Sequence, residues 1–174
     1  MNLKHLSESD LRKETKLCAV REKKETAALI EHLIEVEKRQ LHLTWGHGSL
    51  FAYLTDELRY EKGAASLRVS AVRAAEVVPE LSKKIETGQL SLKAIRTVES
   101  FSYHESKARG KNLTQTERKE IYAQVASLSV SQVESRLAAL STSEKFQTPT
   151  REIDRAVKDG WRVIQFNVSE AEYR

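Results

Sequence analysis

Chain-breaking residues are scarce in this sequence: proline occurs twice and glycine six times in 174 residues. Neither residue occurs between Leu11 and Leu43, a stretch rich in Lys, Glu, Ala and Leu, which favour helix. Hydrophobic residues make up 40% of the chain, enough for a buried core, and charged residues make up 31%. We therefore expect an all-α protein, a multi-helix bundle with one short β-strand near its C-terminus.

Residues 1–48 are expected to form one long N-terminal helix or a helix pair. The charged run Arg21–Glu25 fits either a break or a solvated turn, and Ser7 and Ser9 are suitable N-caps. The apolar arc through Ala27–Val36 is wide, which indicates contacts on two sides. Those contacts come either from two neighbours in the same chain or from a partner subunit, as in a homodimer through the long helix.

The single cysteine, Cys18, excludes an internal disulfide and a cysteine-ligated zinc site. It lies within the helical pattern, so we expect it to be buried as a small apolar residue. No N-terminal apolar run resembles a signal peptide, and no stretch approaches the ~20 apolar residues of a membrane span. We expect a soluble, cytoplasmic protein that does not enter a membrane.

Residues 49–141 are expected to form the helical core, in which caps and breakers set the helix ends. We predict helices over about Leu50–Leu58, Glu61–Val78, Pro79–Thr87, Leu92–Phe101, 115–127 and 132–140. Capping boxes at Thr114–Glu117 and Ser131–Glu134 begin the last two. The polar segment His104–Asn112 contains Gly110 and is interpreted as a loop.

Residues 142–174 are expected to form a linker, a strand and the start of a further helix. Alternating apolar residues predict the strand over Trp161–Val168, and Ser169–Glu172 is a capping box. A lone strand buries little surface and needs a partner. We therefore expect either that the chain is the front part of a longer protein or that the strand pairs with another copy.

Positive charge is concentrated in the middle of the chain. From Arg59 to Arg96 there are eight Lys or Arg residues against four Glu, a local balance of +4 that equals the net charge of the whole chain. Helices with a basic face are typical of proteins that bind nucleic acid. A solvated helix surface also carries many Lys and Arg, so the charge alone does not identify the partner.

One helix in this segment places its polar residues on a narrow stripe. At 100° per residue, Lys62, Ser66, Ser70 and Arg73 share one face of the helix over Glu61–Val78, opposite a broad apolar arc. The helix before it and the tight turn at residues 59–60 make a candidate helix-turn-helix, whose second helix enters the major groove. The spacing fits equally well a helical hairpin in a bundle with a solvated polar stripe.

Longer sequence features resemble a known family. The segments LIEHLIEVEKRQL, SLFAYLTDEL, YEKGAASLRVSAVRAAEV and GQLSLKAI, with Pro79-Glu80-Leu81, resemble the N-terminal domain of unknown function that precedes HNH endonuclease modules in many bacterial proteins. The later segments are also similar to the helix-turn-helix region of ParB-like partition proteins. RVIQFNVSEAEY resembles the strand and helix start that follow in the nuclease-associated family. The resemblance implies a DNA-binding, targeting portion of an HNH-type endonuclease.

Two residues depart from the family pattern. Arg59 occupies a turn position that the family commonly fills with Gly. If that position is left-handed, a non-glycine residue there is strained by about 1 kcal/mol, so either the turn differs or Arg59 is held in place by a phosphate or an acidic neighbour. Arg68 falls beside Ala65 and Val72 on the apolar side. It either extends outward, pairs with a nearby glutamate, or reaches nucleic acid from the flank of the helix.

Under this hypothesis the partner is double-stranded DNA and the site residues divide into two groups by role. We expect contacts to bases from Lys62, Ser66, Ser70 and Arg73, contacts to phosphates from Arg59, Lys83, Lys84, Lys93 and Arg96, and a flanking contact from Arg68. The alternative is a helical dimerisation or protein-interaction module with no role in nucleic-acid binding. The sequence does not separate DNA from RNA.

No catalytic arrangement stands out. His42, His47 and His104 are separated in the sequence and do not form the His- and Asn-bearing hairpin of an HNH nuclease. No phosphate-cradling glycine motif is present, and the serines fall at N-cap positions. We expect a non-catalytic chain with no metal and no cofactor.

Overall fold

The computed structural model describes residues 3–143, 153–156 and 162–165. The described part of the chain is all-α, as expected, apart from one short strand pair. The α-helices are α1 (Glu8–Lys38), α2 (Leu41–Thr44), α3 (Leu50–Ala52), α4 (Lys62–Ala75), α5 (Leu81–Glu86), α6 (Leu92–Arg109), α7 (Gln115–Val125) and α8 (Val130–Leu140). A 3-10 turn covers Leu3–His5, and α3 continues directly into a π-helical turn over Tyr53–Glu57.

Helix α1 is continuous for 31 residues, so the charged run Arg21–Glu25 is a solvated segment and not a break. Ser7 caps the helix, accepting a hydrogen bond from the backbone N–H of Asp10 at 3.1 Å. Residues 8–25 contain no buried side chain. The expectation that Cys18 is buried was therefore wrong: it is exposed, because this half of α1 extends beyond the packed core.

The other half of α1 supplies the core contacts. Ala27, Ile30 and Leu33 are buried and pack mainly against α5 and α4 of the same chain. The wide apolar arc is therefore covered by two neighbours within the chain. Helix α1 ends at Lys38 rather than near Leu43, because Gln40 adopts a left-handed conformation with φ of 54°.

The predicted turn between α3 and α4 is present. Ser49 caps α3, accepting from the backbone N–H of Ala52 at 3.0 Å. Arg59 is left-handed with φ of 58°, so of the two cases considered for that position the strained one is present. Helix α4 buries small side chains, including Ala65 and Ala71. Small residues allow close approach of helices, and α6 is the most extensive neighbour of α4.

Helix α6 is longer than predicted, and this corrects the loop assigned to His104–Asn112. It continues to Arg109 and ends at Gly110, which has a left-handed φ of 66° and acts as the C-cap. The polar residues that suggested a loop have structural roles: Glu105 is fully buried, and Arg109 donates to it at 2.8 Å.

Two further helix starts were misplaced. Helix α5 begins at Leu81, not Pro79, because Glu80 is left-handed with φ of 54°. The capping box of α8 is formed by Ser129 and Gln132 rather than by Ser131 and Glu134.

The capping box of α7, by contrast, was predicted correctly. Thr114 and Glu117 exchange hydrogen bonds with each other's backbone N–H groups.

The C-terminal strand has a partner within the chain. β1 (Ile153–Ala156) pairs antiparallel with β2 (Arg162–Gln165), with Ile153 opposite Gln165. The partner strand lies in the segment interpreted as linker, so the expected pairing with another copy is not needed. The remainder of Trp161–Val168 and the capping box Ser169–Glu172 lie outside the described residues.

Candidate nucleic-acid interface

A polar groove runs between α4, α6 and the start of α7. Its volume is about 590 Å³. Serines and cations dominate its lining, which consists of Ser66, Ser70, Arg73, Arg96, Glu99, Ser100, Ser102, Tyr103, Ser106, Asn112, Leu113 and Arg118. Four of the ten residues predicted to contact DNA are thus brought together in one concave surface.

Helix α4 contributes three of the four residues of its predicted polar stripe. Ser66 and Ser70 are half-buried in the groove wall, while Arg73 is exposed. Lys62 is exposed one turn before Ser66. Ser70 donates its hydroxyl hydrogen to the carbonyl of Ser66 at 3.0 Å. Its hydroxyl is therefore occupied as a donor, and Ser66 is the better placed serine for donation to a ligand.

The arginines of the groove differ in their pairing. Arg118 donates to both carboxylate oxygens of Glu99, at 2.8 and 2.9 Å. Arg73 and Arg96 form no side-chain hydrogen bond or ion pair with other described residues. With three arginines and one glutamate in its lining, the groove has a net charge of +2.

A buried tyrosine, Tyr122, supports the ion pair between Arg118 and Glu99. The Tyr122 hydroxyl donates to Glu99 at 2.8 Å. Burial, together with the negative charge of Glu99, raises the pKa of Tyr122 well above its ordinary value, so the phenol stays protonated as a donor. Arg118 is thereby fixed in the groove wall, and one of its polar atoms, Nε, is buried without a partner among the described residues.

The outer edge of the groove is a cationic ridge on α6. Lys93, Arg96, Ser100, Tyr103 and Lys107 follow one another at spacings of three or four residues, so they share one helix face. All five are exposed, and the ridge contains no carboxylate.

Beyond the ridge, the groove is continued by a second depression of about 370 Å³ at the C-terminal end of α6. This depression is lined by Tyr103, Ser106, Lys107, Gly110, Lys111 and Asn112.

The other predicted residues lie elsewhere. Arg59 and Lys83 are exposed outside both the groove lining and the ridge, whereas Lys93 lies on the ridge but not in the lining. Lys84 lines a separate depression of about 200 Å³ together with Lys119. The structure therefore does not gather all ten residues at one site.

Arg68 is directed away from the groove. Its guanidinium lies 3.9 Å from the ring centroid of Tyr60, and it donates to the carbonyl of Ala64 at 3.1 Å. A cation over an aromatic face is a stabilising contact. Of the three roles considered for Arg68, the structure shows an intramolecular contact, with a tyrosine rather than a glutamate.

The sequence did not predict the part of the groove formed at and after the C-terminal end of α6. Tyr103, Lys107, Lys111 and Asn112 fell in the segment interpreted as a loop or next to it. Gly110 was the available signal: a glycine at the end of an unbroken polar run is a common C-cap. Once α6 extends to Arg109, the three- and four-residue spacings place all the ridge residues on one face of the helix.

Comparison with known protein families, curated proteins and solved structures found no match for this chain. Among the described residues, no group of three or more His, Cys, Asp or Glu side chains could hold a metal ion. No helix of that same part has the length and apolar character needed to cross a bilayer.

Proposed function

We propose that this chain is a DNA-binding helical module whose contact surface is the groove between α4 and α6 with its cationic ridge. One observation carries the proposal: Arg73 and Arg96 project into a serine-lined groove without a carboxylate partner among the described residues. Lys and Arg that neutralise phosphates supply most of the affinity of a protein for nucleic acid.

The pairing of charges across the fold supports this assignment. Two partly buried arginines are paired within the chain: Arg109 pairs with Glu105 and Glu117, and Arg118 pairs with Glu99. By contrast, seven predicted cations form no ion pair within the described part of the chain: Arg59, Lys62, Arg73, Lys83, Lys84, Lys93 and Arg96. An anionic partner would supply the missing negative charge.

We assign each proposed contact from the exposure and the hydrogen bonding of the side chain. Lys62 and Ser66 are the residues of α4 that we expect to contact bases, because Ser70 is hydrogen-bonded to its own helix. Arg73, which lies in the groove with Arg96, would contact a phosphate. Arg96 and Lys93, on the ridge, would contact phosphates. Arg68 is left out of the contact surface because it stacks on Tyr60.

The proposal agrees with the resemblance to the domain that precedes HNH nuclease modules. In that setting the described residues would position DNA for a catalytic module, and would themselves be non-catalytic. A DNA ligand is also compatible with the bacterial setting that the resemblance implies.

The test is binding of a fluorescein-labelled blunt duplex by fluorescence anisotropy between 50 and 200 mM salt, concentrations over which phosphate contacts weaken measurably. Arg73→Ala with Arg96→Ala should weaken binding and reduce the slope of log K against log salt by about 1.8, or about 0.9 for each phosphate contact. Arg12→Ala with Arg21→Ala, on the exposed half of α1, removes the same charge and should leave the slope unchanged. Equal losses in the two double variants would indicate net charge alone, and no binding by the wild type would end the proposal.

A second candidate, a homodimer through α1, is favoured by the exposed half of that helix. Leu17 and Val20 are 54% and 59% exposed on adjacent turns. The earlier expectation of a dimer through the arc around Leu33 does not fit, because Leu33 is buried in its own core. Light scattering of the wild type and of Leu17→Glu with Val20→Glu tests it: a wild-type monomer rejects the dimer, and a dimer that the substitutions disrupt supports it.

A further inference from the structure

The two depressions along α6 adjoin each other, since Tyr103, Ser106 and Asn112 line both, and together we call them the channel along α6. Arg96 lies at one end and Lys107 at the other, eleven residues apart on the same helix. At 1.5 Å per residue this separation is about 16 Å. Stacked nucleotides in one strand are spaced about 3.4 Å apart, so the channel has the length of four or five nucleotides.

Tyr103 lies in the middle of this channel and is 65% exposed, the largest exposure among the large hydrophobic residues of the described part. Its hydroxyl forms no hydrogen bond with another described residue, and its ring contacts His104 edge-on, with centroids 5.1 Å apart. An exposed ring beside cations is the arrangement on which nucleic-acid bases stack.

The polar groups on either side of Tyr103 fit a single phosphate backbone. Arg73 and Arg96 lie toward one end of the channel, and Lys107 and Lys111 lie toward the other. Between them, the Ser100 hydroxyl and the Asn112 amide have no hydrogen-bond partner among the described residues. Cations at both ends with a stacking ring and free donors between them are the features of a single-strand site.

We infer that the channel along α6 binds an unpaired strand of DNA, with a base stacked on Tyr103 and phosphates held by Arg73 and Arg96 at one end and by Lys107 and Lys111 at the other. This inference rests on the proposed DNA-binding function and narrows it. A paired base is stacked between its neighbours and does not offer its face to a protein ring. The preferred ligand is therefore a duplex that continues into a single-stranded tail.

The test compares a blunt duplex with the same duplex carrying a six-nucleotide tail, by fluorescence anisotropy at one salt concentration. The wild type should bind the tailed duplex about tenfold more tightly, the effect of stacking one base on an aromatic ring. Tyr103→Ala should abolish that difference, which is read as the ratio of the affinities of the same variant for the two DNAs. Tyr103→Trp should retain it, because a larger ring also stacks.

Trp45→Ala is the matched control, since Trp45 is an exposed aromatic residue outside the channel; it should keep the preference for the tail. Equal wild-type affinity for the two DNAs, or a preference that survives Tyr103→Ala, would overturn the inference while leaving duplex binding intact. Binding of neither DNA would overturn both proposals. Binding of the tailed DNA alone, lost in Tyr103→Ala, would support the channel and reject the duplex surface.

Discussion

Glu105 connects the C-terminal end of α8 to α6, and its removal should destabilise the whole bundle. The side chain is fully buried and accepts hydrogen bonds from Arg109 at 2.8 Å and from the Ser141 hydroxyl at 3.0 Å. Thr142 donates to it through both its backbone N–H and its hydroxyl. Each of these groups in the described part of the chain donates to the carboxylate.

The expected loss of unfolding free energy follows from this arrangement, in which the carboxylate accepts hydrogen bonds from donors only. Removing one partner of a buried charge pair costs about 3–5 kcal/mol. Arg109 is 33% exposed, so water partly solvates its guanidinium once Glu105 is removed, and the cost lies at the low end of that range. We expect Glu105→Ala to lower the free energy of unfolding by about 3 kcal/mol. Glu105→Gln keeps the shape but turns an amide N–H₂ toward donors, and should cost about 2 kcal/mol.

The assay is urea denaturation followed by far-ultraviolet circular dichroism. With a slope of about 2 kcal/mol per molar urea, the midpoint should fall by about 1.5 M for Glu105→Ala and about 1 M for Glu105→Gln. Glu120→Gln, at an exposed carboxylate of α7, should leave the midpoint unchanged. A loss below about 0.5 kcal/mol for both Glu105 variants, the size of an ordinary surface substitution, would refute the reasoning.

The same network predicts a pH dependence. Burial alone would raise the pKa of Glu105, but the hydrogen bonds from Thr142, Arg109 and Ser141 outweigh it and lower the pKa below its ordinary value. A carboxylate with a depressed folded-state pKa stabilises fully above its unfolded pKa of about 4.3 and loses that contribution as the pH falls through the folded value. The stability difference between the wild type and Glu105→Gln should be constant from pH 7 to about pH 5 and shrink below about pH 4.

Three further outcomes are expected. Arg59→Gly should raise the free energy of unfolding relative to Arg59→Ala by about 1 kcal/mol, because only glycine relieves the left-handed backbone; equal urea midpoints would contradict this. Arg68→Ala should cost about 1 kcal/mol through the lost contact with Tyr60 and leave the salt slope of duplex binding unchanged, whereas a reduced slope would place Arg68 on the DNA. Incubation of the protein with supercoiled plasmid and Mg²⁺ should give no nicked product, and nicking that survives repurification would reject a non-catalytic role.

Local signals predicted much of the helical bundle. Ser7, one of the two N-caps suggested for the first helix, caps α1, and Thr114 with Glu117 forms the predicted capping box of α7. These features depend on neighbours within about four residues, so the sequence contains the necessary information. The polar stripe of α4 was predicted for the same reason, since helical spacing fixes which side chains share a face.

Errors arose where a distant contact decides the structure. Glu105 looks like a loop residue until Thr142 and Ser141, more than thirty residues later, satisfy its charge. Cys18 looks like a core residue until residues 8–25 of α1 prove to contain no buried side chain. The groove itself depends on the packing of α6 against α4, which no local pattern encodes. Its α4 side was predicted, and much of its α6 side was not.

The location of the DNA surface is the central claim, and a nuclear magnetic resonance titration tests it most directly. Adding a tailed duplex to ¹⁵N-labelled protein should shift the backbone amide signals of residues 62–73 on α4 and 93–112 on and after α6. Signals from the exposed half of α1 and from α8 should stay in place. Shifts confined to α1 or α8, or no shifts at low salt, would contradict the assignment of the α4–α6 groove.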